Sequence, residues 1–494
     1  MFLNLSVLYN ATLNISPTKP EFSSIIWRYC YLGVMRANAI KKAIEDCIAE
    51  GNISEEDGLP MIGEAVVLRA FFYYYLTCSF GNVPFYTDVV TEDNREQIAS
   101  LPRMPANDTR DALINELKHY LMPEALGGRE FLPLKRSYDP PFENRMTAAV
   151  GLIIAGKFCL WNERWDDAVR IFNVLEDIYG QYKNNPEQFA IDYPISDIPF
   201  SKKFVKESIF EMENAFEEYG VQASGTIAMY ATPPKTSNAK VTIEGDDEEN
   251  LEYVISDVYN GIAIPELGEN SRISISARPT TYYYQTVLSY NSPDLRSGDY
   301  SNDSEVSRNG AGNLAWRWKG YAQDDIERLP EDNKARWFSS SFKASLRPWL
   351  GNKFWCPDMY YVMDSNNYKL FRFADVELML AEAHLRLGQY DDAAAYLNIT
   401  RVRAGLPKIT LASVGGNVEA FMEEIRLERA RELFGEFQRK YDLVRWGIWY
   451  ERTSQYNDGM YLPDFILPCH RYLPIPAEQI TYSHGALDNK EYEQ

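Results

Sequence analysis

Leu160-Trp-Asn-Glu-Arg-Trp165-Asp-Asp-Ala168 lies over Leu385-Arg-Leu-Gly-Gln-Tyr390-Asp-Asp-Ala393 without a gap. In both stretches an apolar, helix-patterned segment ends, a short turn follows, and an aromatic residue leads into Asp-Asp. Two acids at that place suit the start of a helix, where unpaired N–H groups and the positive end of the helix dipole favour negative charge. Each stretch predicts two helices joined by a tight turn.

The pattern resembles a tetratricopeptide unit, a helix pair that buries its apolar face against neighbouring pairs. Working outward, helical periodicity fills three blocks, at about residues 23–80, 109–179 and 370–446. In the first, Ile26, Tyr29, Gly33, Ala37, Ile40 and Ile44 recur at helical steps and predict the buried stripe of one helix. A second helix is expected from Gly63 to Phe80, stopped by Gly81-Asn82. Between about Gly220 and Lys369 the period fades and turn residues cluster, as in Thr232-Pro-Pro-Lys, Gly245-Asp-Asp and Asn309-Gly-Ala-Gly. Arg272-Ile-Ser-Ile-Ser276 reads as a brief strand. The expected organisation is a mostly α scaffold of tetratricopeptide-like helix pairs, with residues 1–219 and 370–494 forming its two parts. Residues 220–369 form an irregular insertion of loops and short strands. Loops carried on a rigid scaffold are where binding concentrates.

Composition narrows the function. Acidic residues outnumber basic ones, 71 to 50, giving a net charge of −21. That field repels nucleic-acid phosphates and anionic headgroups, so neither is an expected partner. The six cysteines are scattered without a C-x-x-C pair, and Cys30, Cys78 and Cys159 fall in apolar helical stretches, so buried thiols are expected rather than zinc or a disulfide framework. His119, His384, His470 and His484 are isolated, and neither a G-x-S-x-G elbow nor a phosphate-binding glycine loop occurs. Catalytic residues, metal and cofactor are all expected to be none. No apolar run approaches the ~18 residues that span a bilayer, and Met1 to Pro17 contains no Lys or Arg, so the positive start of a signal peptide is missing.

Six segments in order carry a family resemblance. Gly63-Glu-Ala-Val-Val-Leu-Arg69-Ala-Phe-Phe-Tyr through Phe80-Gly-Asn-Val-Pro84 is similar to the first signature of the SusD/RagB family. Asn367-Tyr-Lys-Leu-Phe-Arg372-Phe-Ala-Asp-Val-Glu-Leu-Met-Leu-Ala-Glu382-Ala resembles the second, and Leu397-Asn-Ile-Thr-Arg401-Val-Arg-Ala-Gly405-Leu-Pro a third. Ile425-Arg-Leu-Glu428-Arg, Asp442-Leu-Val-Arg445-Trp446 and Tyr472-Leu-Pro-Ile-Pro476 complete the series. One stretch departs from the pattern: E-L-x-F-E-G-x-R reads Glu432-Leu-Phe-Gly435-Glu-Phe-Gln-Arg439, a Gly and a Glu having changed places, which is expected to alter a helix end. The resemblance implies a non-catalytic outer-membrane lipoprotein on the cell surface. Such proteins bind oligosaccharide, or in some members peptide, and pass it to a TonB-dependent transporter of the SusC type. The lipid-bearing cysteine that would hold it to the membrane is not found in this sequence.

Sugar binding needs flat apolar platforms beside hydrogen-bonding groups, because a pyranose exposes one C–H-rich face and a ring of hydroxyls. Covering ~100 Å² of apolar surface contributes roughly 2–3 kcal/mol, against an association cost of at least ~4 kcal/mol. Two or three aromatics on one surface are therefore required. The insertion offers Tyr282-Tyr283-Tyr284, Trp316-Arg317-Trp318 and Trp337, and alternation in an extended segment would place both indoles of Trp316 and Trp318 on one side and Arg317 on the other. A second candidate is the loop Tyr86 to Met104, at a helix end that resembles the family's ligand-facing edge, with Tyr86, Asn94 and Arg95 as its candidates. The candidate ligand-binding set is thus Tyr86, Asn94, Arg95, Tyr283, Tyr284, Trp316, Arg317, Trp318 and Trp337.

Other features read as structural. Asp294-Leu-Arg296 is expected to be an ion pair, and Asp246-Asp-Glu-Glu249 a solvated loop without the spacing of a calcium-binding EF-hand. Glu423/Arg426, Glu428/Arg431 and Arg429/Glu432 are expected to lace a solvent-facing or interhelical surface, each contributing a few tenths of a kcal/mol. Two competing functions are a helical glycoside hydrolase with paired carboxylates and a tetratricopeptide adaptor for a protein tail.

Overall fold

The computed structural model describes residues 21–122, 132–135, 145–217, 220–223, 225, 227–231, 240–244, 250–254, 279–289, 292–297, 312–315, 349–356, 359–360, 362–457 and 466–492. Helices α1 (Glu21–Ala49) and α2 (Glu55–Phe80) form the first pair. Ser54 caps α2, its hydroxyl accepting the Asp57 N–H at 3.1 Å, with Glu55, Glu56 and Asp57 in the first turn. The helix thus begins a full two turns before the expected Gly63 and ends, as expected, at Gly81.

The buried stripe of α1 matches the expected one in part: Ala37 is buried, Ile26 and Ile44 pack against the core, and Gly33 lies against the Phe72 ring. Trp27, Cys30, Val34 and Ala37 face α2, whereas Tyr29 and Ile40 point outward at 55% and 48% exposure. The helix carries apolar residues on both faces, so periodicity by itself had two solutions.

The quoted repeat forms two matched pairs: α3 (Ala106–Leu121) leads into α4 (Ala148–Trp161) and α5 (Trp165–Tyr179), and, after the short α6 (Pro186–Asp192), α7 (Phe373–Arg386) is followed by α8 (Tyr390–Arg403). The turns match bond for bond. Arg164 N–H donates to the Cys159 carbonyl at 2.8 Å, and Gln389 N–H to that of His384 at 2.9 Å. The left-handed position between them is Glu163 in one turn and Gly388 in the other. Ala168 and Ala393 are both fully buried in the second helix of each pair.

Helix α7 packs on α5 and on α9 (Val418–Glu432), which the short α10 (Arg439–Arg445) follows, so all three helical blocks share one apolar core. Burial pushes the thiols of Cys30, Cys78 and Cys159 up to about 12, as befits small apolar residues. Strand β1 (Ser208–Met212) pairs antiparallel with β2 (Tyr368–Arg372), which feeds straight into α7. The described part of the middle segment contains short antiparallel hairpins, such as Lys240–Glu244 with Asn250–Val254, and a one-turn π-helix, Tyr283–Val287. The strand expected at 272–276 and the acidic run 246–249 lie outside the described residues.

Two buried ionic clusters hold the scaffold. In the first, Arg372 reaches Glu207 at 2.7 Å, Glu436 at 2.8 Å and Glu432 at 3.0 Å, and Arg403 bonds Glu207 and Glu432. Arg296 reaches Asp294 at 2.7 Å, Glu432 at 2.8 Å and Glu428 at 2.9 Å, and Lys353 joins Glu436 at 2.7 Å. In the second, Asp375 takes Lys157 at 2.5 Å and Arg429 at 2.8 Å, Asp442 takes Arg429 at 2.8 Å and Arg445 at 3.2 Å, and Arg445 takes Glu382 at 2.5 Å.

Asp294 and Arg296 are the ion pair expected from their spacing. The expected pairing of Arg429 with Glu432 is corrected: each turns into the protein toward a different cluster. The other two expected pairs form, Glu423 with Arg426 at 3.2 Å and Glu428 with Arg431 at 3.4 Å, the first reaching the solvent side of α9 and the second starting from a buried Glu428.

The departure at residues 432–439 is also clarified. Glu436 stands where the E-L-x-F-E-G-x-R pattern has its Glu; the exchange is of Gly and Phe. Gly435 takes a positive φ of 75°, and a Cβ there would lie 2.3 Å from the Phe354 ring. Phe437 also has a positive φ, 62°.

Candidate functional site

The tyrosine triplet sits on the π-turn beside α9. Successive residues of a helical turn point about 100° apart, so the three rings diverge. Tyr283 goes inward: it is 8% exposed, stacks on Phe434 at 4.2 Å, and its hydroxyl accepts from the Asn313 amide at 3.2 Å. Burial raises its phenol well above the ordinary range. Tyr283 therefore offers no ring face to a ligand, a correction to its place among the candidates. Tyr284 is half-buried, its hydroxyl 3.2 Å from that of Thr281.

Tyr282 makes the flat surface. It is half-buried and stacks on Tyr456, at the end of α11 (Trp449–Tyr456), with centroids 3.8 Å apart and planes 18° from parallel. Arg452, one turn earlier on α11, lies 5.9 Å from the Tyr456 ring and pairs with Glu423 of α9 at 3.0 Å. Burial raises the Tyr282 phenol, with Glu423 adding to the effect. Stacked face to face, the two half-buried rings form an apolar pair with a carboxylate and a guanidinium, both strong hydrogen-bonding groups, beside it.

The second candidate loop is built differently. Tyr86 N–H donates to the Tyr73 hydroxyl at 3.0 Å, and that hydroxyl donates to the Tyr86 carbonyl at 3.1 Å. The Tyr86 ring lies parallel to that of Tyr31 at 6.2 Å, and burial pushes its phenol up to about 12. Asn94 folds the loop on itself, accepting the Thr91 N–H at 2.7 Å and donating to the Val89 carbonyl at 2.8 Å. Arg95 is exposed and stands 3.8 Å from Glu96 in a one-turn helix. Trp316, Arg317, Trp318 and Trp337 lie outside the described residues. Trp355, another aromatic of the insertion, is core, its indole N–H donating to the Leu350 carbonyl at 3.1 Å.

Tyr456, Arg452 and Glu423 were not singled out as ligand residues by sequence. The i,i+4 spacing of Arg452 and Tyr456 places them on one helix face, but nothing local marks the distant Tyr282 as their partner. Among the described residues no group of three or more His, Cys, Asp or Glu is placed to hold a metal, and no helix is long and apolar enough to cross a membrane.

A scaffold of tetratricopeptide-like helix pairs, with Tyr282 stacked on Tyr456 of its C-terminal helices, defines a class of helical proteins. Comparison with known proteins gives the family. Residues 206–492 match the SusD family, and residues 3–152 match the family described as starch-binding and associating with outer membrane. This chain belongs to the SusD family. It is 23% identical to SusD-like protein P25 of Formosa agariphila over 98% of this chain and 81% of that one. A SusD superfamily protein from Bacteroides vulgatus superposes with a TM-score of 0.62 at 18% identity, covering 98% of this chain and 88% of the other. Surface glycan-binding protein A from Bacteroides thetaiotaomicron, solved in complex with laminarihexaose, superposes with a TM-score of 0.59 at 18% identity over 94% and 84% of the two chains.

Proposed function

We propose that this protein binds oligosaccharide at the bacterial surface without cleaving it and hands it to a SusC-type outer-membrane transporter. The observation that carries the binding reading is the stacked Tyr282–Tyr456 pair with Arg452 and Glu423 at its edge. Sugar rings lie on the aromatic plate, Tyr284 widens it, and the charged pair takes hydroxyls. The solved relative holding laminarihexaose supports a glucan-type oligosaccharide as the first probe. The inserted segment 220–369 supplies further ligand contacts, and the protein is held at the membrane as a lipoprotein.

Calorimetry with laminarihexaose and a wider glycan array tests the proposal. Tyr282→Ala and Tyr456→Ala are each expected to weaken binding on the order of 30- to 160-fold, the loss of one ~100 Å² platform contact, with little change in melting temperature. Wild-type protein that binds no glycan, or that releases reducing ends from one, overturns it.

The transporter reading has its own support in α1. Its outward face carries Ile25, Tyr29 and Ile40, all over two-fifths exposed, with Arg28 and Arg36 among them. An apolar, basic face on so acidic a protein suits a protein partner. Tyr29→Asp is expected to abolish co-purification with the transporter while leaving glycan affinity unchanged; undiminished co-purification would remove α1 from the interface.

A further inference from the structure

Phe437 stands in the left-handed backbone region, at φ 62°, where a side chain crowds the neighbouring carbonyl and glycine alone is free of penalty. The E-L-x-F-E-G-x-R pattern has glycine at this place. The fold gains little from the exchange: the ring is 44% exposed, and its aromatic neighbour is Tyr368, edge-on at 5.9 Å.

The flanking residues show why position 437 faces outward. Glu436 is held inside by Lys353 and Arg372, and Gln438 is held by Lys157 at 3.2 Å and the Leu370 carbonyl at 3.4 Å. With both neighbours anchored inward, whatever occupies 437 projects to solvent. Met212, opposite Tyr368 in the strand pair, is also exposed, at 39%.

We propose that Phe437 is a second carbohydrate platform, separate from the Tyr282–Tyr456 plate; this rests on the glycan-binding reading above. Backbone strain kept for an exposed ring points to a task outside folding. Among the described residues the exposed apolar groups here are one ring and one thioether, far smaller than a protein interface, which takes ~800 Å² from each partner, whereas a lone ring matches the C–H face of one sugar unit. A second platform adds its own ring contact to those of the first.

The full chain carrying Phe437→Gly or Phe437→Ala is compared with wild type by calorimetry against laminarihexaose, the probe used above, and by thermal melting. Phe437→Gly relieves the strain and removes the ring. Its melting temperature is expected to rise by about 1–2 °C, while its dissociation constant rises at least about 5-fold. Phe437→Ala keeps the strained φ, so it is expected to lose the same affinity without the thermal gain. Affinity unchanged in both variants, with wild type binding, overturns this inference and leaves the Tyr282 plate standing. A wild-type protein that binds no glycan removes both.

Discussion

Arg372→Met is expected to lower the stability of the whole scaffold by about 3–5 kcal/mol, the usual result of removing one partner from a buried ion pair. Arg372 meets Glu207, Glu432 and Glu436 in a site with almost no solvent contact. Burial would lower its pKa, but those three carboxylates outweigh that and hold it above the ordinary arginine value. Methionine fills similar space, so the packing loss is small and the effect is that of uncompensated carboxylates. The cluster also joins elements far apart in sequence: Glu207 before β1, Arg372 at the end of β2, Arg403 on α8 and Glu432 on α9. A urea titration checks the expectation, with Lys41→Ala as control. Lys41 forms an ordinary i,i+4 pair with Glu45 on the surface of α1, and its loss is expected to move stability by no more than about 0.5 kcal/mol. An Arg372→Met midpoint equal to wild type would mean the cluster contributes nothing.

Acid is expected to unfold the protein through the same groups. Burial alone would raise their carboxyl pKa values, but the guanidinium and ammonium groups around them prevail. Asp375 is held at about 2 by Lys157 and Arg429, Glu432 lies well below the carboxylate range beside Arg403, Arg372 and Arg296, and Glu428, Glu436 and Asp442 are also lowered. A carboxyl with a depressed folded-state pKa stabilises fully above its unfolded value, near 4, and loses that contribution as pH falls through the folded value. For Asp375 the amount is ~2 kcal/mol. Glu377 has the opposite sign: buried, and near Glu176 and Glu207, its carboxyl is raised, so its contribution is fully present below the unfolded value of 4.5 and is lost as pH rises from there through the higher folded value. Burial raises Glu176 as well, and five lowered groups against these two raised ones give net loss on acidification. Circular dichroism from pH 7 to pH 2 should show cooperative unfolding beginning below about pH 4; a chain still folded at pH 2 would contradict this.

The scaffold was legible because helix pairs are written locally. The overlay of residues 160–168 on 385–393 rests on turn and cap chemistry within nine positions, and the two turns close with equivalent hydrogen bonds. The resemblance was strong for a related reason. Arg372, Glu382, Glu428, Arg429, Glu432, Asp442 and Arg445 are framework charges, each needing a partner that is also fixed. What those signatures encode is the buried ionic frame, and they leave the ligand surface unspecified.

The site was less legible because exposure is not a local property. Tyr282, Tyr283 and Tyr284 are adjacent and alike in sequence, and only the direction of the π-turn beside α9 sends Tyr283 inward and Tyr282 onto Tyr456. In the loop after α2, Asn94 reads as a ligand amide but closes its own loop. In α1 the expected stripe missed at Tyr29 and Ile40 for the same reason, since apolar residues on two faces do not state which face is covered.

The strand pair of β1 and β2 has a consequence for how such a protein changes over time. The chain leaves the helices at Met212 and re-enters at Tyr368, residues that are neighbours in the ladder. The excursion between them begins and ends at one doorway, so lengthening or rewriting it adds little closure entropy. Two cations inside the excursion, Arg296 and Lys353, nevertheless plug into carboxylates of the helical frame. New specificities can therefore be grafted through that doorway, provided each graft brings the same two plugs.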